Sequence, residues 1–570
     1  MKKAIGRILT LLLCCALLAG VAACSKDDNK AGSGDSNAGG SSAGDSNTGG
    51  SNAGTGGSNS SETNTGGGNA GGGNAGGGSE SGPPKRDYLN VAYTQDGGTL
   101  DPLYNVGWDF LSALRMIYEP LWEQFGQDED LAYRYVLAES AEVTNGGYGL
   151  LVHLRKDAYF ESGNQVTAED VLFTLNKANN RTGVSAFFRT LDEENTKVID
   201  EFTLEMIFTE LSVDQMAGFS SFYIFDRLSY DADTIAMVSC GSGPYKVDDY
   251  IVGSHFNLVQ RDDYWGGKLD IIPKLYFKKL TEEAQRVNAL ITGDVDIAVV
   301  PYQDIDFVND NVDEMEVSFF SGDTTAALHM SASTERDIFS RLGTDARRAV
   351  ALAIDRQAIV NVAYSGYANV SRFPLSAGTA DAFPELFDLG IYSEGYNPTL
   401  AKELAESSGL VNYKPLLINN SGPVQMLISE IIQMNLASIG VDIEVRSLDM
   451  GSWLTYAFDA TQWDMAVDFT FGGTCAAGYR TWYRMIGGYN TNPWPGSERF
   501  GEIIEGPPGI TEISDYSILR PYYIELTQIH VQSIPWYIIC DVLVPTAHNK
   551  DLKGWKPMRA GNIIYTDLSW

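Results

Sequence analysis

A long run of small polar residues near the amino end divides this chain into parts that fold differently. Residues 25–84 consist almost entirely of Gly, Ser, Asn, Ala and Thr. Such a segment buries too little apolar surface to offset the entropy lost on folding, so we expect it to stay disordered. A Gly-rich coil of this length reaches roughly 40–45 Å. The segment therefore predicts a tether, and a folded body must come from the residues that follow it.

The residues before the tether have the pattern of an export signal. A positively charged start precedes a short apolar run, 8–21, and small residues lie directly before Cys24. The run is too short for a comfortable membrane span of about 20 residues. This order resembles the bacterial lipobox, in which the cysteine is lipidated and becomes the first mature residue. We predict a lipoprotein signal peptide at 1–23, then the lipidated Cys24 and its tether at 24–85, with attachment by lipid instead of a spanning helix.

Composition and charge exclude several classes of function for the remaining residues. The chain is 44% hydrophobic and 11% aromatic, which is enough to build a folded core. Its formal net charge of -34 argues against a nucleic-acid partner, which requires a basic surface. Beyond Cys24 there are Cys240, Cys475 and Cys540, which allow at most one disulfide and contain no CxxC pair. Whether these three cysteines pair stays open, and neither a metal site nor a cofactor is predicted.

Apolar periodicity predicts alternating helices and strands along the folded part. A first strand at 89–93 is followed by a helix that Asp109 caps and whose apolar stripe continues to Leu121. Strands are expected at 295–299 and 441–445, each after a helix. Three helices are expected to end at a glycine: 281–290 before Gly293, 397–408 before Gly409, and 424–439 before Gly440. Repeated helix–glycine–strand units indicate α/β lobes, in which ligands bind beyond the carboxyl ends of the strands.

A series of short motifs covers nearly all of this folded part. In chain order they are Thr99-Leu100-Asp101-Pro102, Ile117-Tyr118-Glu119-Pro120-Leu121, Leu137-Ala138-Glu139-Ser140, 153–160, 162–171, Gly241-Ser242-Gly243-Pro244-Tyr245, Asp263-Tyr264-Trp265-Gly266-Gly267, 291–297 and 346–356. In this order they resemble the family 5 extracellular solute-binding proteins, which serve oligopeptide, dipeptide and nickel-type ABC importers. Each motif alone is weak, and their common order carries the resemblance.

The resemblance implies an α/β, two-lobed clamshell of the periplasmic-binding-protein type, in its large oligopeptide-binding form (type II). Lobe I is expected from 86–119, 240–326 and 541–570, with an inserted subdomain at 120–239, and lobe II from 327–540. It further implies a monomer that is not an enzyme and needs no cofactor. This monomer captures a small solute, most simply a peptide, at the outer face of the bacterial cytoplasmic membrane and passes it to the permease and ATPase subunits of an importer.

The resemblance also indicates which residues line the cleft. The loop after the first strand offers Tyr104, Asn105 and Trp108, although Trp108 is equally placed to pack against the following helix. From lobe II, Arg372 is suited to pair with a carboxylate.

A third part of the wall is expected from residues 464–482. Its candidate ligand contacts are Asp468, Phe471, Gly472, Gly473, Arg480 and Trp482. Oligopeptide-binding members carry an aspartate for the peptide ammonium about where Gly473 stands, and Asp468 is off that register. This departure puts recognition of a free amino terminus in doubt.

Three other interpretations remain open at this stage. The same fold can bind a modified peptide, a glycan or a chelated metal. A secreted glycoside hydrolase is the least excluded enzyme, because carboxylate pairs are abundant in so acidic a chain. A surface sensor that presents its liganded form to a signalling partner has the same sequence features as a transport protein.

Overall fold

The computed structural model of the chain describes residues between Arg86 and Trp570, with several gaps. They are 86–103, 108–125, 132–179, 191–209, 219, 222–331, 336–379, 381–457, 459, 461–471, 474–487, 494–506, 509–510, 513, 516–556 and 563–570. The predicted signal peptide (1–23), Cys24 and the tether (24–85) lie outside these residues, and so do Tyr104, Asn105, Gly472 and Gly473.

The strands of the described residues form one large sheet and two small ones. They are β1 (Tyr88–Tyr93), β2 (Trp122–Phe125), β3 (Ala132–Tyr135), β4 (Ala138–Thr144), β5 (Gly149–Leu154), β6 (Lys197–Asp200), β7 (Thr203–Ile207), β8 (Tyr245–Ile251), β9 (His255–Gln260), β10 (Lys274–Lys279), β11 (Ile297–Val299), β12 (Met315–Met330), β13 (Ala368–Val370), β14 (Leu416–Asn420), β15 (Glu444–Leu448), β16 (Met465–Phe471) and β17 (Trp536–Asn549). The large sheet has the order β15-β14-β16-β12-β17-β11-β1-β10-β9-β8, with β13 paired to β17.

Helices lie between these strands, as expected of an α/β chain. They are α1 (Trp108–Leu114), α2 (Ala168–Asn179), α3 (Glu283–Ile291), α4 (Ile305–Asn311), α5 (Ile338–Ala353), α6 (Arg356–Ala363), α7 (Ile391–Glu394), α8 (Pro398–Ser408), α9 (Pro423–Ser438), α10 (Met450–Ala457), α11 (Cys475–Gly487), α12 (Ser497–Glu505) and α13 (Tyr516–Ser533). None of the helices in the described ranges has the length and apolar character needed to cross a bilayer.

The predicted helix–glycine–strand units are confirmed, and helix α8 shows why. The Asn397 side chain caps this helix by accepting a hydrogen bond from the Leu400 backbone N–H (3.1 Å), and Pro398 occupies the first turn. Gly409 ends the helix at a φ of 80°, a conformation that glycine adopts without a Cβ penalty.

Two expected boundaries are wrong. The first helix, expected to continue to Leu121, ends at Leu114, and turn hydrogen bonds follow, such as the one from the Met116 N–H to the Ala113 carbonyl. The strand expected at 441–445 begins instead at Glu444, because the Val441 N–H bonds back to the carbonyl of Leu436 in the last turn of α9.

The apolar residues form two large cores, one for each lobe. One core contains residues between Ala326 and Val542, and the other contains residues between Leu89 and Ile297 together with Leu552, Tyr565 and Leu568. The small sheet β4-β5-β7-β6 and helix α2 pack into the second of these cores, within the segment expected to be an inserted subdomain. The fold is therefore an α/β clamshell of two lobes, as predicted, and the exact lobe boundaries stay a prediction.

Strands β12 and β17 are the long pair that carries the chain between the lobes. Residues 315–321 of β12 pair with 543–549 of β17, and after an irregularity between Ser321 and Thr325 the pairing resumes with Thr325 opposite Asp541. We call this antiparallel pair the ribbon. An interruption in the pairing bends and twists a strand locally, so it marks where the direction of the ribbon changes.

The three cysteines that follow the tether are unpaired. Cys240, Cys475 and Cys540 are all buried free thiols. Burial raises the pKa of the Cys240 and Cys540 thiols to about 12, so both stay protonated and unreactive near neutral pH. The question that the sequence left open is answered in favour of no disulfide among these three residues.

Candidate ligand-binding site

Strands in each lobe have their carboxyl ends at the boundary with the other lobe. Strand β11 runs antiparallel to β17, and β1 runs parallel to β11, so the end of β1 points toward lobe II. In lobe II, β16 runs antiparallel to β12, so its end points back toward lobe I. The segments after β1 and β16 are the ones expected to meet a ligand in an α/β fold.

The lobe I wall is a loop that hydrogen bonds hold at both sides. The Asp96 carboxylate accepts hydrogen bonds from the Tyr250 hydroxyl (2.7 Å) and the Gly253 N–H, which ties the loop to the β8–β9 hairpin. Further along, the Leu100 N–H donates to the Ala236 carbonyl (2.9 Å). The buried Asp101 carboxylate accepts the Leu103 N–H (2.9 Å) and shapes the turn before Tyr104. The loop is preorganised by these contacts up to the point where the predicted contacts begin.

Trp108 is the predicted lobe I contact that the structure describes in part. It is the first residue of helix α1, directly after the loop. Its place at the start of the helix is compatible with either alternative, contact with a ligand or packing on the helix. Its role in binding stays a prediction.

The lobe II wall begins with residues 371–379, which three buried side chains fix in place. The Arg356 guanidinium donates to the Ser371 carbonyl (2.6 Å), and the Trp536 indole N–H donates to the Pro374 carbonyl (2.8 Å). The Asp541 carboxylate accepts the Ala377 N–H (2.9 Å). We call residues 371–379 the clamp segment. All three anchors are less than 10% exposed, so water does not compete for these hydrogen bonds and the backbone of the clamp segment is held in place.

Arg372 lies in the clamp segment, and its side chain is exposed. Its guanidinium pairs with the Asp388 carboxylate and lies 5.7 Å from the Phe387 ring centre. The Asp388 carboxylate raises the pKa of Arg372 through a hydrogen bond. A ligand carboxylate would therefore have to share or displace Asp388, and this predicted contact remains untested.

Helix α11 includes part of the segment predicted as the third part of the wall, and it packs closely on the clamp segment. The Cys475 N–H at its start donates to the buried Asp381 carboxylate (2.5 Å), whose pKa burial raises. At Gly478 an added Cβ would come within 2.9 Å of a Leu375 methyl group, so a larger residue there would require the Leu375 side chain to move. The start of α11 is thus positioned by an acid and a glycine that sequence patterns did not single out.

The remaining predicted contacts lie on β16 and α11. Asp468 pairs across the strands with Ala327, and Phe471 ends β16 opposite Thr324. Asp468 and Arg480 are partly buried, and each takes part in an interaction within the fold. Trp482 is 2% exposed and stacks on Trp536 at 5.5 Å with an interplanar angle of 8°. Trp482 therefore packs inside the lobe II core in this arrangement, and its contact with a ligand stays a prediction.

Sequence reasoning missed the acid at the centre of the ribbon. Asp541 is 6% exposed, and burial raises its pKa to about 6. The signal that could have found it is a lone acid inside the apolar strand 536–544. A buried carboxylate is retained where it is hydrogen-bonded, and this one joins the ribbon to the clamp segment.

The pKa of Asp541 predicts a stability change with pH. Because the folded-state pKa lies above the ordinary value of 3.8, its contribution to stability is present at about pH 4 and is lost as the pH rises through about 6. The variant D541N keeps an oxygen for the Ala377 N–H but cannot ionise. From pH 4 to pH 7, we expect its free energy of unfolding to rise relative to that of the parent chain by on the order of 2–3 kcal/mol. Urea unfolding at both pH values measures this difference.

The control for this prediction is D442N, because Asp442 is an exposed carboxylate whose ion pair with Lys414 lies at the surface. We expect D442N to change stability by less than about 1 kcal/mol at either pH, the usual contribution of an exposed ion pair. If D541N behaved like D442N, the assignment of a raised pKa to Asp541 would be wrong.

The fold is that of the two-lobed solute-binding proteins. The substrate-binding protein CtaP of Listeria monocytogenes superposes with a TM-score of 0.72 at 17% sequence identity, over 85% of this chain and 99% of that one. Residues 132–489 match the bacterial extracellular solute-binding proteins, family 5 Middle, and the chain belongs to this family. Its members are the substrate-binding components of ABC importers, act outside the cytoplasm and work with ABC permeases. The resemblance drawn from the sequence motifs is confirmed.

Two other similar proteins carry names that state a ligand. A glutathione-binding protein, GsiB, from Pectobacterium atrosepticum is 21% identical over 452 residues, which cover 76% of this chain and 85% of that protein. DppA from Helicobacter pylori, solved in complex with the peptide STSA, has a TM-score of 0.66 at 19% identity and covers 85% of this chain and 98% of that one.

Proposed function

We propose that this protein captures a short peptide between its lobes and delivers it unchanged to the permease of an ABC importer. The observation that carries the proposal is the geometry of the large sheet, in which strands of each lobe have their carboxyl ends at the boundary with the other lobe. A solute held there touches both lobes at once only when they close, so binding favours closure. Membership of the family supports the delivery step.

The case for a peptide comes from the walls and from two relatives. The lobe I loop and the clamp segment present backbone held in fixed positions, which suits the backbone of an extended peptide. Glutathione, named for GsiB, and STSA, bound to DppA, are both short peptides. Gly473, which stands about where other members have an aspartate, favours ligands whose amino terminus is blocked or lies elsewhere. Because Gly473 stands in place of that aspartate, a glycan or a chelated metal is the second candidate class of ligand.

We propose further that the protein does not convert its ligand. His329 and His530 are fully buried, and burial lowers the pKa of each imidazole to about 3. Neither imidazole can reach a solute held between the lobes unless the residues around it unfold. Within the described ranges, no group of His, Cys, Asp or Glu is arranged to hold a metal ion. Binding without chemistry is the function that the family membership supports.

The lobe boundaries and the anchor belong to the same proposal. Lobe I is assigned to 86–119, 240–326 and 541–570, its subdomain to 120–239, and lobe II to 327–540, because the irregularity in the ribbon falls directly beside 326 and 541. Cys24 is proposed as the lipidated residue, which would attach a monomer to the outer face of the cytoplasmic membrane through the tether. Mass spectrometry of the amino-terminal fragment, with Cys24→Ser as the control, tests the lipid.

Ligand identity is tested by binding to the full chain carrying Cys24→Ser. We expect thermal shifts with glutathione, with STSA or with an amino-acetylated form of STSA, and none with unrelated oligosaccharides or with nickel and histidine. A ligand at a hundredfold excess over its dissociation constant adds about 2.7 kcal/mol to apparent stability. Recovery of the unaltered peptide by mass spectrometry supports binding alone. A shift with the sugar or the metal complex instead, or a cleaved peptide, would replace the proposal.

The predicted contact Arg480 gives a sharper test of the wall. We expect Arg480→Ala to weaken binding of the peptide that gives the largest shift about tenfold or more, because charged hydrogen bonds are among the strongest in a cleft. Isothermal titration measures the loss. Arg446→Ala is the matched control, since Arg446 pairs with Glu444 on the exposed edge strand β15 of the same lobe. Equal affinities of the two variants would remove Arg480 from the site.

A further inference from the structure

Side chains from the two lobes meet directly beside the ribbon. Strands β11 and β13 pair with the same edge of β17, with Val299 opposite Thr546 and Ala368 opposite Val542. Lobe I chain leaving β11 and lobe II chain entering β13 therefore come together next to residues 543–545. The Tyr302 hydroxyl donates to the Leu543 carbonyl (2.8 Å) at this point.

The lobe II side of this meeting is a short turn, residues 364–367, which we call the docking turn. The Tyr364 ring packs edge-on against the Tyr302 ring, with 5.1 Å between centroids. The Tyr367 ring stacks on Phe319 at 5.1 Å with an interplanar angle of 17°. The Tyr367 hydroxyl also donates a hydrogen bond to the Asp306 carboxylate. One aromatic pair and one charged hydrogen bond thus connect the lobes outside the ribbon, and a second aromatic pair joins the docking turn to the ribbon residue Phe319.

The docking turn is stiff because it ends helix α6 in a fixed way. Ser365 and Gly366 both have positive φ values, 51° and 86°. The Gly366 N–H bonds to the Val360 carbonyl (3.0 Å), which closes the last turn of the helix. At its other end, α6 is capped by the Asp355 carboxylate, which accepts the Ala358 N–H (2.9 Å). A rotation of lobe I against lobe II would therefore change the aromatic contacts of the docking turn.

We infer that the docking turn restricts the angle between the lobes and so sets, from outside the ligand contacts, how tightly the protein binds. Its meaning for affinity rests on the proposed function, whereas its effect on the lobe angle does not. Without the contact the lobes sample a wider range of orientations. Closing on a ligand then costs more entropy, so binding weakens even though every ligand contact is intact.

The inference is tested on ligand-free protein by measuring a distance between the lobes. Spin labels at Ile291→Cys and Met434→Cys occupy exposed positions in lobe I and lobe II, and the described native thiols are buried. The parent is the full chain with Cys24→Ser. We expect Tyr367→Ala to broaden the measured distance distribution clearly. Tyr367→Phe, which removes only the hydrogen bond, and Asp306→Asn, which replaces its charged acceptor by a neutral one, should broaden it less. Tyr396→Ala, at an exposed tyrosine of lobe II, is the matched control and is expected to match the parent.

The outcomes separate this inference from the proposed function. A Tyr367→Ala distribution that superimposes on the parent overturns the inference. Circular dichroism confirms that each variant is folded, and the milder Tyr367→Phe serves if the alanine variant is not. With STSA as the probe, we expect Tyr367→Ala to raise the dissociation constant about tenfold. If STSA binds to neither parent nor variant, the peptide proposal fails for that probe, while the distance measurement still decides the role of the docking turn.

Discussion

Replacing Trp536 by alanine is expected to lower the free energy of unfolding by about 3–5 kcal/mol, the range for removing a large buried aromatic side chain. Trp536 is fully buried, with Trp482 stacked on it and the His530 ring centre 4.3 Å away. Its indole N–H also holds the clamp segment through Pro374. The loss therefore combines a cavity with an unsatisfied carbonyl, and urea unfolding followed by circular dichroism measures it.

Two further variants determine what this loss means. Trp536→Phe keeps most of the ring packing and removes the bond to Pro374, so we expect an intermediate loss. Tyr396→Ala removes an exposed ring of the same lobe and is expected to change stability little. If Trp536→Ala cost no more than Tyr396→Ala, the aromatic cluster would not be the centre of the lobe II core.

Replacing Arg356 by methionine is the second large effect we expect, a loss of about 3 kcal/mol or more. The guanidinium is 6% exposed, donates to the Ser371 and Ile538 carbonyls at 2.6 and 3.4 Å, and lies 4.9 Å from the Tyr537 ring centre. Methionine fills much of the space and leaves both carbonyls without this donor. Thermal and urea unfolding at pH 7 measure the loss.

The same change should also act on Asp541, because the positive charge of Arg356 lowers the pKa of that carboxylate. In Arg356→Met the pKa of Asp541 should rise further, so the fall in stability with rising pH should become larger and extend to higher pH. Arg372→Met is the matched control, because its guanidinium pairs with Asp388 at the surface. Losses of equal size in the two variants would contradict the assignment of Arg356 as a buried anchor.

Local patterns in the sequence were enough to predict the helix–glycine–strand units. Asn397, Pro398 and Gly409 act on their own neighbours in the chain, so their effect does not depend on the rest of the fold. The predictions for the end of α1 and the start of β15 were wrong for the opposite reason. There the apolar periodicity continued past the point where turns and a helix end took over the backbone hydrogen bonds.

The candidate site was predictable only in outline. The loop after β1, the clamp segment and α11 came from the family resemblance, and the structure describes a large part of each. No local pattern indicated the side chains that fix these segments. Arg356 contacts the clamp segment from 15 residues away in the sequence and Trp536 from 162 residues away. Asp381 positions the start of α11 across 94 residues of chain. Anchors of this kind depend on tertiary contacts, and a single sequence does not show which side chains meet.

The ribbon also determines how the protein can be divided and recombined. Since Thr325 lies opposite Asp541, the segment that forms lobe II leaves lobe I and returns to it at adjacent points on neighbouring strands. A chimera that takes lobe II from a relative therefore needs only two junctions, side by side in one antiparallel pair. The reverse exchange, of lobe I, would need its separate pieces to be carried over together.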